Sequence, residues 1–380
     1  MINIEKLKAK YHPVLQSFVD DMSGAAIPTL YFQPQGLGQQ VVKRIHQLSE
    51  KYRPTPWLSN THFHMLFFDL VKKKTINLKY DRTDLLTMSD GGQTALVWAG
   101  YHLPPHVPTV VVMHTITGTP ESMSELVQDI QLHTGWRVVL CLRRGHADLP
   151  LTVPKINILG STDDLREQLA VIQQQFPQST LYGIGSSAGS GLLIRYLGEE
   201  GSKSKIRAAF AYCPGYNTDE AFGKAHQVYS RLMVKRLIKQ FVAPHLDKLT
   251  HLSTLQALQH AQDLAAFQAN IYELAGFSSY EEYSQASNPM RVFKDITVPL
   301  MVLNAEDDLL CRIENVYPYL DDIQHMPNVV LVTTPKGSHC AYYEGWQATS
   351  WSGRLMANYF KTVHELAPSG KHPARHAPAA

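Results

Sequence analysis

The sequence has no long apolar run. No stretch of about 18 consecutive apolar residues, the length that spans a bilayer, occurs in its 380 residues. The first residues, MINIEKLK, also lack the apolar run of about 7–15 residues that a secretory signal peptide needs. We therefore expect a cytoplasmic protein without a transmembrane segment, for which membrane contact would be transient and limited to the surface.

The sequence also has few cysteines and a small net charge. The four cysteines lie far apart and form no CxxC pair, which predicts reduced thiols in a cytosol-like compartment. The formal net charge is only +2, and Lys and Arg are spread along the chain rather than clustered. A protein that binds nucleic acid usually needs a concentrated basic face, so this partner is not expected.

Metal and cofactor motifs are weak or missing. His62 and His64 have the alternating spacing that would place two imidazoles on one face of a strand. No third ligand stands at a familiar spacing, however, and there is no HExxH motif. The glycines within residues 183–191 could suggest a dinucleotide-binding loop. Such a loop requires an acidic residue at the end of a second strand, and none stands at the right distance here. We expect no metal and no cofactor.

Short apolar runs alternate with helical segments through most of the chain. Continuous apolar runs are typical of strands that are buried on both faces of a parallel sheet. The pattern therefore predicts an α/β fold with a mostly parallel, doubly wound sheet, and a hairpin around the Gly-rich residues 89–93. The predicted strands are 85–88, 94–98, 109–113, 137–142, 180–184, 207–212, 299–303 and 329–333, and the helices between them include 161–175 and 189–197.

The chain divides into four parts on these patterns. Residues 1–53 are predicted to be an amphipathic N-terminal arm, and residues 366–380, rich in Pro, Ala and Gly, a disordered tail. Residues 54–212 and 296–365 form the predicted α/β core. Residues 213–295 have helical character and no clear strand. An insertion of this size predicts a helical cap over the carboxyl ends of the strands, where ligands bind.

A G-x-S-x-G pattern occurs at residues 185–189 (GSSAG), directly after one predicted strand and before a predicted helix. In a nucleophile elbow the serine occupies a strained turn, where side chains two residues away would collide with neighbouring backbone. The motif alone is common by chance, and the alternative is a Gly-Ser turn that caps a helix. Its place between strand and helix favours Ser187 as a nucleophile, whereas Ser186 does not fit the spacing.

An acid and a base follow in the order Ser, Asp or Glu, His that is typical of enzymes with this elbow. The strand at 299–303 leads into Asp308, and the strand at 329–333 leads into His339. A carboxylate at a strand end can orient the imidazole that takes a proton from Ser187. Asp308 is preferred to Asp307 because it stands four positions after Asn304, where the acid commonly falls.

The loop after the strand at 109–113 predicts an oxyanion hole. A loop in this place normally supplies one backbone N–H to the tetrahedral oxyanion, and the residue after the nucleophile supplies the other. The predicted donors are the N–H groups of Ile116 (or Thr115) and Ala188. The alternative is a plain turn capped by His114.

Together the motifs resemble the YheT-like, ABHD-type branch of the α/β-hydrolases. The resemblance covers roughly residues 27–362. It rests on YRPTPWLSNTH (52–62), RG (144–145) with PLTVPK (150–155) and GSTDDLR (160–166), NAEDD (304–308) and GSHCAYYEG (337–345). It implies an α/β-hydrolase fold, esterase- or lipase-like activity on acyl esters without a cofactor, and a triad of Ser187, Asp308 and His339.

The sequence departs from the family pattern around the site. The elbow reads GSSAGSG (185–191) where the family usually has GYSLGGN, and HTITGT (114–119) replaces HGLTGG in the predicted oxyanion loop. Three hypotheses follow: hydrolysis of acyl esters, transfer of the same acyl group to an alcohol, and a non-catalytic protein that only binds in the crevice. The three intact triad residues oppose the third hypothesis, and the sequence does not separate the first two.

Overall fold

The computed structural model describes residue 16, residues 19–72, residue 76 and residues 78–366. The tail predicted at 366–380 lies outside these residues except for its first position, as does the first part of the arm predicted at 1–53. The described residues contain one large sheet, a small two-stranded sheet and helices.

The large sheet has nine strands. They are β1 (Thr29–Phe32), β2 (Arg82–Thr87), β3 (Gln93–Ala99), β4 (Thr109–Met113), β5 (Arg137–Leu142), β6 (Leu181–Ser186), β7 (Ile206–Tyr212), β8 (Leu300–Ala305) and β9 (Val329–Thr334). Their order is β1-β9-β8-β7-β6-β4-β5-β3-β2. Strands β4 to β9 run parallel to one another, whereas β1, β2 and β3 pair antiparallel at the two edges. The fold predicted from the apolar runs is confirmed.

Strand β1 is the one strand of this sheet that the sequence does not predict. Its residues, TLYF, are only partly buried, so they show neither a continuous apolar run nor a clear alternation. The strand forms because it adds to the open edge of β9, with Thr29 opposite Thr333 and Phe32 opposite Val330. Part of the segment predicted as an arm therefore completes the sheet.

Helices cover both faces of the sheet. Among the described residues, the α-helices with defined bounds are α1 (Leu37–Arg44), α2 (Thr61–Phe67), α3 (Ser124–Thr134), α4 (Thr162–Gln175), α5 (Ala188–Glu200), α6 (Thr218–Lys224), α7 (Gln227–Leu237), α8 (Leu246–Leu249), α9 (Leu255–Gln259), α10 (Leu264–Asn270), α11 (Tyr280–Ser287), α12 (Leu320–His325) and α13 (Trp351–Leu366). The apolar sides of α1, α3 and α13 share one buried cluster with the sheet, and those of α4, α5 and α12 share another. The sheet is thus buried between two helical layers, as expected for a doubly wound fold.

Shorter segments connect these elements. The 3₁₀ turns are His46–Leu48, Pro56–Leu58, Gly201–Lys203, Ala243–His245, Pro289–Arg291, Phe293–Asp295, Ile313–Asn315 and Tyr317–Tyr319. Two π-helical turns, Phe68–Lys72 and Ile238–Val242, continue α2 and α7 respectively. The small sheet consists of β10 (Tyr343–Glu344) and β11 (Thr349–Ser350).

The insertion between β7 and β8 is helical. Residues 213–299, all of which the structure describes, hold α6 to α11 and no strand. These helices share an apolar cluster in which Leu237, Phe241 and Phe267 are completely buried. The same cluster includes Ile116 and Ile158 from loops of the sheet, so the insertion packs on the loops that follow β4 and β5.

Four loops with predicted site residues or their neighbours leave the carboxyl ends of parallel strands. They carry His114 after β4, Ser187 after β6, Asp308 after β8 and His339 after β9. Because the carboxyl ends of parallel strands lie at one edge of a sheet, residues that are far apart in sequence meet there.

Candidate active site

Ser187 occupies the sharp turn between β6 and α5. Its backbone angles, φ 53° and ψ −117°, lie in a region that residues other than glycine rarely adopt. The N–H of Ser187 donates to the carbonyl oxygen of Tyr212 at the end of β7 (2.8 Å). This bond ties the turn to the neighbouring strand and presents the serine at the carboxyl end of the sheet.

The two glycines of the G-x-S-x-G pattern are required by close backbone contacts. A Cβ atom at Gly185 would lie 2.4 Å from the carbonyl oxygen of Gly189. A Cβ atom at Gly189 would lie 2.1 Å from the carbonyl oxygen of Met113. Backbone atoms cannot move aside as the end of a flexible side chain can. The collision expected from the sequence motif is therefore present at both positions.

Ser187, His339 and Asp308 are joined by two hydrogen bonds. His339 Nε2 lies 2.8 Å from Ser187 Oγ, and His339 Nδ1 lies 2.7 Å from Asp308 Oδ2. The structure thus brings together the three residues that the sequence selects from distant segments. Ser186 takes a different direction, since its Oγ lies 3.6 Å from Cys340 Sγ.

The carboxylate of Asp308 determines how the imidazole is protonated. Its side chain is fully buried, and Oδ1 accepts the N–H groups of Leu310 and Cys311 at 2.8 Å each. Because an ionised carboxylate only accepts hydrogen bonds, His339 Nδ1 donates to Asp308, and in the neutral imidazole Nε2 then accepts the Ser187 hydroxyl. Burial lowers the pKa of His339. The charge of Asp308, the charges of Cys340 and Cys311 and the hydrogen bond to Asp308 together outweigh this effect and raise that pKa well above its ordinary value.

Asp307 has a different position from Asp308. Its Oδ1 accepts the N–H of Ser338 (2.8 Å), and its Oδ2 lies 3.7 Å from Lys336 Nζ. Thr61 Oγ1, at the start of α2, donates to the carbonyl oxygen of Asp307 (2.8 Å). Asp307 therefore supports the loop that carries the histidine, whereas Asp308 contacts the imidazole itself.

The loop after β4 is held by two buried side chains from the segment after β5. The Arg143 guanidinium donates to the carbonyl oxygens of His114 (3.0 Å) and Thr115 (2.7 Å). His146 Nε2 lies 3.0 Å from the carbonyl oxygen of Ile116. Three successive carbonyl groups are thereby fixed. The sequence does not reveal these supports, because side chains that bind backbone carbonyls leave no motif.

A cavity of about 280 Å³ opens beside Ser187 and His339. Its wall is mostly apolar and combines residues of the insertion, such as Leu232, with Ile116 and Ala188. The two residues whose N–H groups are the predicted oxyanion donors therefore border the same space as the serine. An apolar wall with a few convergent polar groups is typical of a site for a largely apolar small molecule.

His62 and His64 do not form the pair of ligands that their spacing suggests. The segment is helical, because the Asn60 side chain accepts the His62 N–H and caps helix α2 at this point. Residues two apart in a helix do not face each other. His62 is exposed, with Nδ1 2.7 Å from Tyr229 Oη, whereas His64 is completely buried. Burial lowers the pKa of His64 to about 4.

Comparison with known proteins decides the family. A family model described as the alpha/beta hydrolase fold matches residues 108–345, more than half of the 380-residue chain. The chain belongs to the α/β-hydrolase family. The matched part of the hydrolase begins just before β4, ends with β10 and contains Ser187, Asp308 and His339.

Curated relatives of the hydrolase support the narrower resemblance to the ABHD-type branch. Phospholipase ABHD3 of Mus musculus is 26% identical over 338 residues, which cover 84% of this chain and 81% of the relative. Monoacylglycerol lipase ABHD2 of Homo sapiens is 23% identical over 370 residues, covering 90% and 87%. Embryogenesis-associated protein EMB8 of Picea glauca is 25% identical over 354 residues, covering 87% and 76%. The resemblance recognised in the motifs is confirmed.

Solved structures share the fold of the hydrolase. A protein with unknown function from Staphylococcus aureus subsp. aureus Mu50 has a TM-score of 0.50 at 13% identity, covering 74% of this chain and 99% of its own. Oligopeptidase B from Leishmania major has a TM-score of 0.50 at 12% identity, covering 74% and 36%. At these identities the likeness concerns the fold alone.

Replacing Gly189 by Ala is expected to destabilise the hydrolase by about 1–3 kcal/mol or more, because the new Cβ would press on the Met113 carbonyl. Gly191→Ala is the matched control. It changes the same helix, but its Cβ would meet no atom closer than 3.9 Å, and Ala favours helix over Gly by about 1 kcal/mol. Urea unfolding of both variants measures the difference. Equal stability of the two would contradict the close contact.

Proposed function

We propose that this hydrolase cleaves carboxylic esters with Ser187 as nucleophile, His339 as general base and Asp308 as the acid that orients it. The observation that carries the proposal is the hydrogen-bonded chain from the Ser187 hydroxyl through the imidazole to the buried carboxylate, beside a mostly apolar cavity. The names of two relatives, a phospholipase and a monoacylglycerol lipase, support an acyl ester of the lipid type as substrate.

The reaction begins when Ser187 Oγ attacks the ester carbonyl and His339 Nε2 accepts its proton. Asp308 stabilises the imidazolium that forms, and its charge is one of the interactions that raise the pKa of His339 in the free enzyme. His339 then gives this proton to the departing alcohol, and the acyl group stays on Ser187. Water attacks the acyl-enzyme with the same imidazole as base and releases the carboxylic acid.

The N–H groups of Ala188 and Ile116 hold the oxyanion in this proposal. Ala188 is the first residue of α5, so its N–H has no partner within the helix, and the helix N-terminus favours nearby negative charge. Ile116 lies in the loop whose carbonyl groups contact Arg143 and His146. A preorganised donor of this kind contributes about 3–4 kcal/mol to transition-state stabilisation.

The acyl chain occupies the apolar cavity under the helical insertion. Leu232 and Met233 of α7 and Leu264 of α10 form part of its wall, opposite Ile116. The cap predicted at residues 213–295 thus covers the acyl group in this proposal. Exclusion of water by such a cover strengthens the hydrogen bonds to the oxyanion.

Replacing Ser187 by Ala should lower kcat for a short-chain p-nitrophenyl ester by a factor of about 10⁶, because no other group supplies the nucleophile. A fluorophosphonate probe should label the wild-type protein and leave the variant unlabelled. Ser186→Ala is the matched control and should keep both label and turnover, since its hydroxyl contacts Cys340 instead. Retained turnover in Ser187→Ala would refute the mechanism.

Replacing Asp308 by Asn should lower kcat by about 10⁴-fold, because an amide does not enforce Nδ1 protonation. The matched Asp307→Asn change should lower kcat far less, since Asp307 contacts the loop and not the ring.

The rising limb of kcat/KM against pH should lie above 6.5 in the wild type, because the imidazole must be neutral and Asp308 raises its pKa. In Asp308→Asn the limb should move to lower pH. If Asp308→Asn and Asp307→Asn lower kcat equally, Asp308 does not have its proposed role.

We further propose that the hydrolase meets its lipid substrate by transient contact with a membrane surface. No helix in the described part of the chain is long and apolar enough to cross a membrane. The cavity rim, however, carries exposed apolar side chains. Phe63, Leu66 and Leu70 form a stripe on α2 and the turn that continues it, and Val228 and Leu232 project from α7. Leu66, Leu70 and Leu232 also line the cavity, so the apolar rim is continuous with it.

Basic side chains flank this apolar rim. Arg231 and Lys235 on α7, and Lys239 just after it, are exposed. Arg236 forms an ion pair with Asp69, which joins the two sides of the rim. Basic residues close to an anionic membrane contribute about 1 kcal/mol each, and an apolar stripe can enter the headgroup boundary. The rim therefore suits a surface with anionic headgroups.

Replacing Phe63 by Glu should weaken cosedimentation with vesicles of mixed phosphatidylserine and phosphatidylcholine, because it places a negative charge in the apolar stripe. Turnover of a soluble ester should persist, since Phe63 does not border the cavity. Leu132→Glu is the matched control, because Leu132 is exposed (74%) but lies on α3, away from the rim. If both variants bind vesicles equally, the rim is not the contact surface.

A further inference from the structure

Three of the four cysteines meet around His339. Cys213 follows β7 directly, Cys340 follows His339 in the chain, and Cys311 lies on the side of Asp308. The Sγ atoms of Cys213 and Cys340 and one ring nitrogen of His339 lie within 4.8 Å of one another. The Cys340 N–H also donates to Cys213 Sγ (3.3 Å). All are free thiols, and their separation in sequence hides this arrangement.

Within the pair, Cys340 is the thiol that a small molecule can reach. It borders both the large cavity and a smaller one beside it, whereas Cys213 is completely buried. Burial raises the pKa of the Cys340 thiol. Its hydrogen bonds with Cys213 and Ser186 and the charge of His339 together outweigh this effect and lower the pKa to about 7. A substantial fraction is therefore thiolate at neutral pH, and the thiolate is the reactive form.

We propose that Cys340 and Cys213 form an oxidisable pair that hydrogen peroxide converts into a disulfide, and that this disulfide lowers the activity of the site reversibly. An accessible thiol with a second thiol poised to resolve it is the arrangement found in redox-sensing cysteines. The effect on activity rests on the proposed ester hydrolysis, whereas formation of the disulfide does not.

The oxidation proceeds in two balanced steps. The Cys340 thiolate attacks one oxygen of hydrogen peroxide, the O–O bond breaks, and hydroxide leaves with the second oxygen, which gives a sulfenic acid. The Cys213 sulfur then attacks the sulfenic sulfur, the S–O bond breaks, and the S–S bond forms as water leaves. The hydroxide takes up the proton that Cys340 lost, so two thiols and one peroxide give one disulfide and two waters.

The disulfide lowers activity because it moves Cys340, the residue directly after the general base His339. An S–S bond of about 2.05 Å is shorter than any non-bonded sulfur contact, so Cys340 is drawn towards Cys213. His339 precedes Cys340 directly and holds Ser187 Oγ at 2.8 Å. A displacement of about 1 Å at a reacting group can cost on the order of 100-fold in rate.

The test treats the full chain with hydrogen peroxide, blocks the remaining thiols with N-ethylmaleimide and maps the tryptic peptides by mass. The four cysteines fall in four different peptides, 138–143, 208–224, 295–312 and 337–354. The expected product joins 208–224 to 337–354 with the loss of two hydrogens, while 138–143 remains alkylated. Turnover of a soluble ester should fall at least about tenfold in parallel, and dithiothreitol should restore it.

Two variants sharpen the test. In Cys213→Ala, the sulfenic acid at Cys340 has no resolving thiol, so peroxide should drive it to the sulfinic acid and dithiothreitol should no longer restore activity. Cys311→Ser is the matched control, because it removes the third thiol near His339 and should still give the 208–224 to 337–354 product. The peptide map of the wild-type chain does not depend on either variant folding.

Several outcomes would overturn the proposal. These are the absence of the joined peptides, a product that contains 295–312 instead, and formation of the disulfide with full retention of activity. A reduced wild-type protein without any ester turnover would refute the proposed function instead, and the joined peptides would still report on the thiol pair by mass alone.

Discussion

The contact between His339 and the buried carboxylate of Asp308 controls what the rest of the site can do. The carboxylate is removed from water and is satisfied by two backbone N–H groups and the imidazole, so loss of any partner leaves a buried charge short of a hydrogen bond. Its charge makes Nδ1 the donor and leaves Nε2 to face Ser187. This contact requires the loops after β8 and β9 to meet, and these strands are neighbours in the sheet.

Most of the sheet follows from the sequence because its parallel strands are buried on both faces. Strands β4 and β5 have the bounds that their apolar runs predict, and every residue in them is buried. Strand β1 escapes prediction for the opposite reason, since a half-exposed edge strand depends on the partner that it joins and not on its own pattern. The alternating histidines of α2 have a different, local explanation, because the Asn60 side chain caps a helix there.

The sequence predicts those site residues that follow a strand end in a fixed chain order. It does not predict the residues that reach the site only through packing. Ser187, Asp308 and His339 each follow a buried strand, so a motif and a position identify them together, although their catalytic roles stay a prediction. Arg143 binds carbonyl oxygens, and Cys213 meets Cys340 across 127 positions of sequence. Neither contact has a fixed sequence spacing, so only the folded structure shows them.

The sequence departs from the family pattern in the predicted oxyanion loop, which other residues of the fold hold in place. The oxyanion loop has Thr at two positions where the family has Gly, and β-branched residues restrict the conformations that a loop can adopt. Gly118 is kept, because a Cβ there would lie 2.6 Å from His114 Cβ. Burial and the nearby Arg195 lower the pKa of Arg143 to about 9, so it stays a cation at neutral pH. Its guanidinium donates to the carbonyl oxygens of His114 and Thr115 and so holds the loop without the two glycines of the family pattern.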